Sequence, residues 1–178
     1  NLNPEDGVVR QEFWKTKEEA QSAVMGCYAS MMDDNMMLSY FIWGEMRADL
    51  VTPSSFANSD ILAIMNGEIV ASNRYVKWDY IYKTINQCNT VIELAPLARQ
   101  KDMSFTDEML KQYNAEAVCI RSMMYFYLLR TFRDVPYITK ASLYDYQDYS
   151  PFKMQQKEIL EHLVEDLTNV ENDLPFTY

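Results

Sequence analysis

The stretch DEMLKQYNAEAVCIRSMMYFYLLRTF, residues 107–132, decides the fold. Leu110, Tyr113, Ala117, Ile120, Met124, Leu128 and Thr131 recur at steps of three and four, the period of one helix face. Ser104 or Thr106 supplies a cap at its start. Asp134-Val135-Pro136 ends it, because a residue before proline is pushed out of helical conformation. At 1.5 Å per residue such a helix is ~40 Å long.

The helical period extends outward in both directions. A helix is predicted from Tyr75 to Ala95, with Trp78, Ile81, Tyr82, Ile85, Cys88, Asn89 and Ile92 on one side and Pro96 stopping it. Thr16 and Glu19 form a capping box that opens the first helix. Its apolar face carries Ala20, Ala23, Val24, Cys27, Tyr28 and Met31. Asp33-Asp34-Asn35 breaks it, and a short second helix is expected over Met36 to Met46. Helices one and two are expected to pair as a hairpin, as are three and four. Tyr137 to Thr139 reads as extended, followed by a tyrosine-rich loop with Tyr144, Tyr146 and Tyr149. A fifth helix follows from about Gln155 to Asp173, with Ile159, Leu160, Leu163, Leu167, Val170 and Leu174 at helical spacing. No further helix remains to cover it, so its partner is expected to come from a C-terminal continuation or another chain.

Residues 47–74 break the pattern. Pro53, Ser54, Ser55, Asn58, Ser59 and Asp60 are turn formers, Asn66-Gly67 is a second turn, and Ile61 to Met65 is long enough for one or two helical turns. A long irregular segment in a compact domain marks function or disorder.

Composition narrows the function. The chain has 178 residues, 16 Lys+Arg against 26 Asp+Glu, and a formal net charge of −10, so a nucleic-acid polyanion would be repelled. No run approaches the ~20 apolar residues of a membrane helix. Asn1-Leu2-Asn3-Pro4 has no basic flank or apolar stretch, so no signal peptide is expected within these residues. An initiator Met is missing, and removal of an upstream segment is expected. Cys27, Cys88 and Cys119 are too few and too widely spaced for a zinc site or a disulfide framework, and read as buried thiols.

Catalysis has little to stand on. His162 is the single histidine, on an ordinary amphipathic helix, so an imidazole metal pair is impossible. No glycine-rich phosphate loop occurs. Glu116 and Arg121, five apart, are turned ~140° from each other and read as partners in ion pairs across helices. Asn86 and Asn89 read as helix-to-loop hydrogen-bonding groups. Trp14, Trp43 and the stripe of Trp78, Tyr82 and Ile85 read as core.

Five segments, in order, resemble the SusD/RagB family of outer-membrane nutrient-binding lipoproteins. They are Phe13-Trp14-Lys15-Thr16 through Gly26-Cys27-Tyr28; Gly44-Glu45-Met46-Arg47-Ala48-Asp49; Trp78-Asp79-Tyr80-Ile81-Tyr82 through Asn89-Thr90-Val91-Ile92; Ala115-Glu116-Ala117 through Phe132-Arg133-Asp134-Val135-Pro136-Tyr137; and Ile159-Leu160 through Leu174-Pro175. Two departures stand out. Arg133 occupies the position where the family carries glycine, and residues 47–74 hold no tryptophan, where starch-binding members use one.

The resemblance implies an all-α chain of tetratricopeptide-like helical hairpins stacked as a right-handed superhelix. Residues 1–178 would be its N-terminal helical domain, lacking a C-terminal part, with 47–74 a long irregular loop. It implies no enzyme and no cofactor or metal. The expected function is capture of oligosaccharides at the outer face of the outer membrane, through an N-terminal lipid anchor absent from this chain. Import would run through a SusC-like TonB-dependent transporter. Peptide capture in the manner of RagB, or a scaffold that binds only protein, are the alternatives. Sugar recognition calls for an aromatic face against ring C–H groups, with amide and guanidinium groups for the hydroxyls. Phe56, Asn58, Arg47, Arg74 and Tyr75, in or beside the loop, are the ligand-binding candidates, Phe56 foremost, with Arg47 and Asp49 better placed to anchor the loop base.

Overall fold

The computed structural model describes residues 13–48, 50–143 and 151–175. Its helices are α1 (Lys17–Met31), α2 (Asp34–Tyr40), a π-helical turn (Phe41–Met46), α3 (Ser59–Met65), α4 (Asp79–Lys101), α5 (Asp107–Phe132), α6 (Gln156–Val170) and a closing 3-10 turn (Glu171–Asp173). Two short strands, β1 (Val135–Pro136) and β2 (Lys153–Met154), pair antiparallel with Val135 opposite Met154. The all-helical class expected from the sequence is the class observed.

α5 keeps the bounds read from the sequence. Thr106 caps it by accepting from Met109 N at 3.2 Å, Asp107 and Glu108 face the positive end of the helix dipole, and Arg130 sits in the last turn. It buries more than the single expected stripe. Tyr113, Ala117, Ile120, Met124 and Leu128 join Ile85, Cys88 and Val91 of α4 and Val24 and Cys27 of α1, while Ala115 and Val118 pack on Val170 at the end of α6. α5 is therefore the central rod, and each fully buried aliphatic side chain is worth ~1.5–3 kcal/mol.

The structure corrects several boundaries and pairings. α4 and α5 form the main hairpin, but α1 lies chiefly against α4 and α5 rather than against α2. α4 starts at Asp79, not Tyr75, and runs through Pro96 to Lys101. Proline removes one backbone hydrogen bond. The turns around it bury Ala95 and Ala98, and Lys101 Nζ donates to Trp14 O at 3.3 Å, so tertiary packing outweighs the break. The predicted second helix divides into α2, capped by Asp33, and the π turn.

α6 has a partner inside this chain, contrary to expectation. Ile159 and Leu163 enter the main core and Val170 packs on α5. Asp134 accepts from Gln156 N at 2.9 Å and so ties the start of α6 to the end of α5. The apolar residues left outside are Leu160, Val164 and Leu167.

Residues 135–142 run back over α4 as an extended strap. It has no sheet beyond its two-residue pairing, so side chains satisfy its backbone. Tyr82 donates to Pro136 O at 2.7 Å, and Tyr125 donates to Ile138 O at 2.9 Å. Asn89 Nδ2 donates to Ile138 O and Lys140 O, Asn86 exchanges two bonds with Ser142, and Glu93 accepts from Ala141 N. The helix-to-loop role read for Asn86 and Asn89 is the one observed.

Candidate functional site

Within the segment 47–74, Ser59–Met65 form α3 and the other described residues run as turns and irregular chain. α3 lays Ile64 on Ile42 and Met46 of the π turn, with Trp43, Val51, Ile61, Met65 and Tyr75 packed around them. This small core is separate from the main one, so the segment is a compact outwork of the helical stack.

Hydrogen bonds fix its geometry. Asn58 caps α3 by accepting from Ile61 N at 3.1 Å, and its Nδ2 donates to the Tyr75 hydroxyl at 2.9 Å. Tyr75 O accepts from Trp43 Nε1 at 3.3 Å, and Tyr75 N donates to Asn73 Oδ1 at 3.0 Å. Buried Asn73 reaches Asp60 O at 2.8 Å. Arg74 pairs with Asp60 at 2.6 Å, which holds its guanidinium pKa above the usual arginine value.

The five candidate residues thus occupy different situations. Asn58, Arg74 and Tyr75 already hold partners within the outwork. Phe56 projects from the loop before α3, 95% exposed, with only its backbone N–H engaged, to Ser54 Oγ. Arg47 ends the π turn, exposed, with its guanidinium 5.8 Å from the centre of the Trp43 ring. Asp49, Tyr144, Tyr146 and Tyr149 lie outside the described residues.

Arg47 also lines a cavity of about 600 Å³ between the π turn and the C-terminal half of α5. Its walls include Tyr40, Trp43, Gly44, Tyr127 and Arg130. Tyr40 and Tyr127 pack with ring centres 4.4 Å apart, and burial pushes the Tyr40 hydroxyl pKa up to about 12. Arg130 lies 5.6 Å from the centre of Phe126 and 5.9 Å from that of Tyr127. Reading by single residues missed this cavity, because Trp43 looks like core and Arg130 like an ordinary helix end. The spacing of Trp43 to Arg47 and of Phe126 to Arg130, both i, i+4, is the signal that finds it.

The residues weighed for catalysis are engaged elsewhere. His162 is half-buried and stacked on Tyr137, with ring centres 5.4 Å apart and planes 6° apart, rather than solvated. Arg121, as expected, bridges helices. Its Nη2 holds Asp166 of α6 at 2.7 Å and its Nη1 holds Asn89 at 3.0 Å. Among the described residues Glu116 has no ion-pair partner, and it accepts from the Tyr28 hydroxyl and from Gln112, each at 3.0 Å. Cys27 and Cys88 are buried in the core, where the neighbouring Cys27 thiol and burial raise the Cys88 pKa. Among the described residues no group of His, Cys, Asp and Glu is placed to hold a metal ion, and no helix is long and apolar enough to cross a membrane.

A family model, SusD-like, described as starch-binding and associating with the outer membrane, matches residues 10–177. Two proteins of Formosa agariphila are similar along nearly the whole chain. SusD-like protein P38 is 29% identical over 97% of this chain and 33% of its own length, and SusD-like protein P2 is 25% identical over 98% and 34%. The chain therefore spans about a third of the length of the curated relatives it matches. A solved SusD superfamily protein of Bacteroides thetaiotaomicron superposes with a TM-score of 0.78 at 28% identity, over 93% of this chain and 37% of that one. A laminarin-binding SusD-like protein shares the fold, with a TM-score of 0.71 at 20% identity, over 90% of this chain and 35% of its own.

Proposed function

The chain belongs to the SusD-like family, and from that premise we propose that it is the N-terminal helical domain of a longer surface lipoprotein. That protein captures oligosaccharides at the outer membrane. It passes them to a SusC-like TonB-dependent transporter beneath it, closing over the barrel as a lid. The chemistry is recognition alone: no bond is made or broken.

The observation that carries this reading is the Phe56 ring. A side chain 95% exposed gains nothing for the fold, yet it stands on a loop anchored at both ends by Asn58–Tyr75 and Trp43–Tyr75 bonds. A rigid scaffold presenting a bare aromatic face suits a sugar ring, whose C–H groups stack on it. A glycan as ligand class is also supported by the laminarin-binding protein of the same fold. Arg47, Asn58, Arg74 and Tyr75 lie near it in sequence and carry polar groups of the kind a sugar hydroxyl needs.

Calorimetry of the full-length protein with laminari-oligosaccharides and other neutral oligosaccharides tests it. Phe56→Ala is expected to weaken binding by about 1–2 kcal/mol, as for other aromatic contacts, with an unchanged melting temperature. Unchanged affinity would remove the loop from the site. Affinity for oligopeptides with none for any sugar would overturn glycan capture.

A further inference from the structure

We infer that the cavity between the π turn and α5 takes an acidic group of the captured glycan, a carboxylate or a sulfate ester, between Arg47 and Arg130. This deepens the glycan-capture reading and rests on it.

The first ground is the distribution of charge. The chain carries a formal net charge of −10 and seven arginines, three of which pair with carboxylates among the described residues. Arg74 holds Asp60, Arg99 holds Asp107 and Arg121 holds Asp166. Arg47 and Arg130 hold no carboxylate among the described residues, and both line this one cavity. In a chain with acid to spare, two cations that share one concavity and hold no carboxylate among the described residues mark a place kept for an external anion.

The second ground is orientation. Each guanidinium lies against rings: Arg47 against Trp43 at 5.8 Å, Arg130 against Phe126 and Tyr127 at 5.6 and 5.9 Å. A stacked guanidinium loses rotamer freedom while its N–H edge stays open, and that edge matches two oxygens of a carboxylate or sulfate. Lysine would not be held this way.

The third ground is the cavity itself. At about 600 Å³ it falls within the range of small-molecule sites, and its aromatic walls suit the apolar faces of sugar rings. Gly44 lines it, and a Cβ there would meet no atom within 4 Å, so the space stands open. The π turn departs from regular helix, a feature frequent at functional sites. Glu45 also borders the cavity, beyond ion-pair distance of either arginine. It leaves the site one net positive charge, so one acidic group per ligand is matched, and its oxygens can accept from sugar hydroxyls.

The test is calorimetry on the full-length protein with four probes of similar length: trigalacturonate, a sulfated galactose trisaccharide, neutral galactotriose and a tri-glutamate peptide. The expected result is that one acidic sugar binds at least tenfold tighter than the neutral one, and which one identifies carboxylate or sulfate. Arg130→Gln should erase that preference and flatten the salt dependence. Gly44→Phe, which fills open space, should erase it with the melting temperature held. Equal binding of acidic and neutral sugars, unmoved by Arg130→Gln, overturns the anion site and leaves glycan capture standing. Binding of tri-glutamate alone, lost in Arg130→Gln, overturns both. So does the absence of binding to any sugar.

Discussion

Asn89 accepts from Arg121 Nη1 at 3.0 Å, and the same amide donates to the carbonyls of Ile138 and Lys140. The bond to Arg121 turns the Asn89 oxygen toward α5 and so directs its nitrogen at the strap. Both residues are almost fully buried. One side chain thus joins α4, α5, the strap and, through Asp166, α6.

Asn89→Leu keeps the size of the side chain and removes all three bonds. It leaves a buried guanidinium donor unmet, at ~1–3 kcal/mol, and takes one donor each from the Ile138 and Lys140 carbonyls, of which Ile138 keeps the Tyr125 hydroxyl. The loss of stability in urea unfolding is expected to be about 2–4 kcal/mol, tempered by water reaching the strap. Asn89→Asp, which keeps the acceptor for Arg121 but aims an anion at two carbonyls, should also destabilise. A loss under about 1 kcal/mol for both variants would mean that the strap holds itself.

α6 presents a sharper contrast between neighbouring positions. Ile159 is 0% exposed and Val164 is 65% exposed on the same helix. Ile159→Ala should cost ~2–4 kcal/mol by opening a cavity against α5. Val164→Ala should stay within ~0.5 kcal/mol. The two variants measured side by side by chemical denaturation decide whether α6 is integral to this core. Equal small effects would return it to the unpartnered state its sequence suggested.

Asp102 gives a pH dependence. The Ser104 hydroxyl, then the Lys17 and Ser104 N–H groups, donate to its carboxylate and hold its pKa below the usual aspartate value. Because the folded value is depressed, its contribution is fully present above the unfolded pKa of about 4 and is lost as pH falls through the folded value. Melting temperatures recorded from about pH 6 to about pH 2 should fall less steeply for Asp102→Asn than for the unaltered protein. Parallel curves would show that the Lys17 N–H at the start of α1 finds water as readily as Asp102.

Much of the fold was legible because long helices advertise themselves. The 107–132 periodicity and the Thr16 and Thr106 caps act within a few residues along the chain, and sequence carries such short-range physics directly. The misreadings have a common cause. Pro96 disfavours helix locally, but burial of Ala95 and Ala98 from outside the segment overrides it. The one or two helical turns read at Ile61 to Met65 are α3, but its start at Ser59 and its packing were hidden, because its single buried anchor Ile64 meets Ile42 and Met46 of the π turn. α6 looked unpartnered because its partner, α5, had been credited with one apolar face when packing uses two. The cavity residues escaped for the same reason: Arg130 gains meaning only where α5 meets the π turn.

Arg133 is where a sequence departure and a backbone constraint meet. It ends α5 with φ 63° and ψ −104°, outside the region an L side chain prefers. The SusD-like pattern carries glycine there, the residue that takes positive φ without steric conflict. The side chain is exposed, so replacing it removes no buried contact. Strain relief of ~1–2 kcal/mol is offset in part by the larger unfolded entropy of glycine, leaving a net gain of about 0.5–1 kcal/mol for Arg133→Gly. Arg133→Ala keeps the Cβ and should gain nothing. Urea midpoints for the two variants test this directly, and an equal rise in both would assign the effect to the arginine side chain rather than to the backbone.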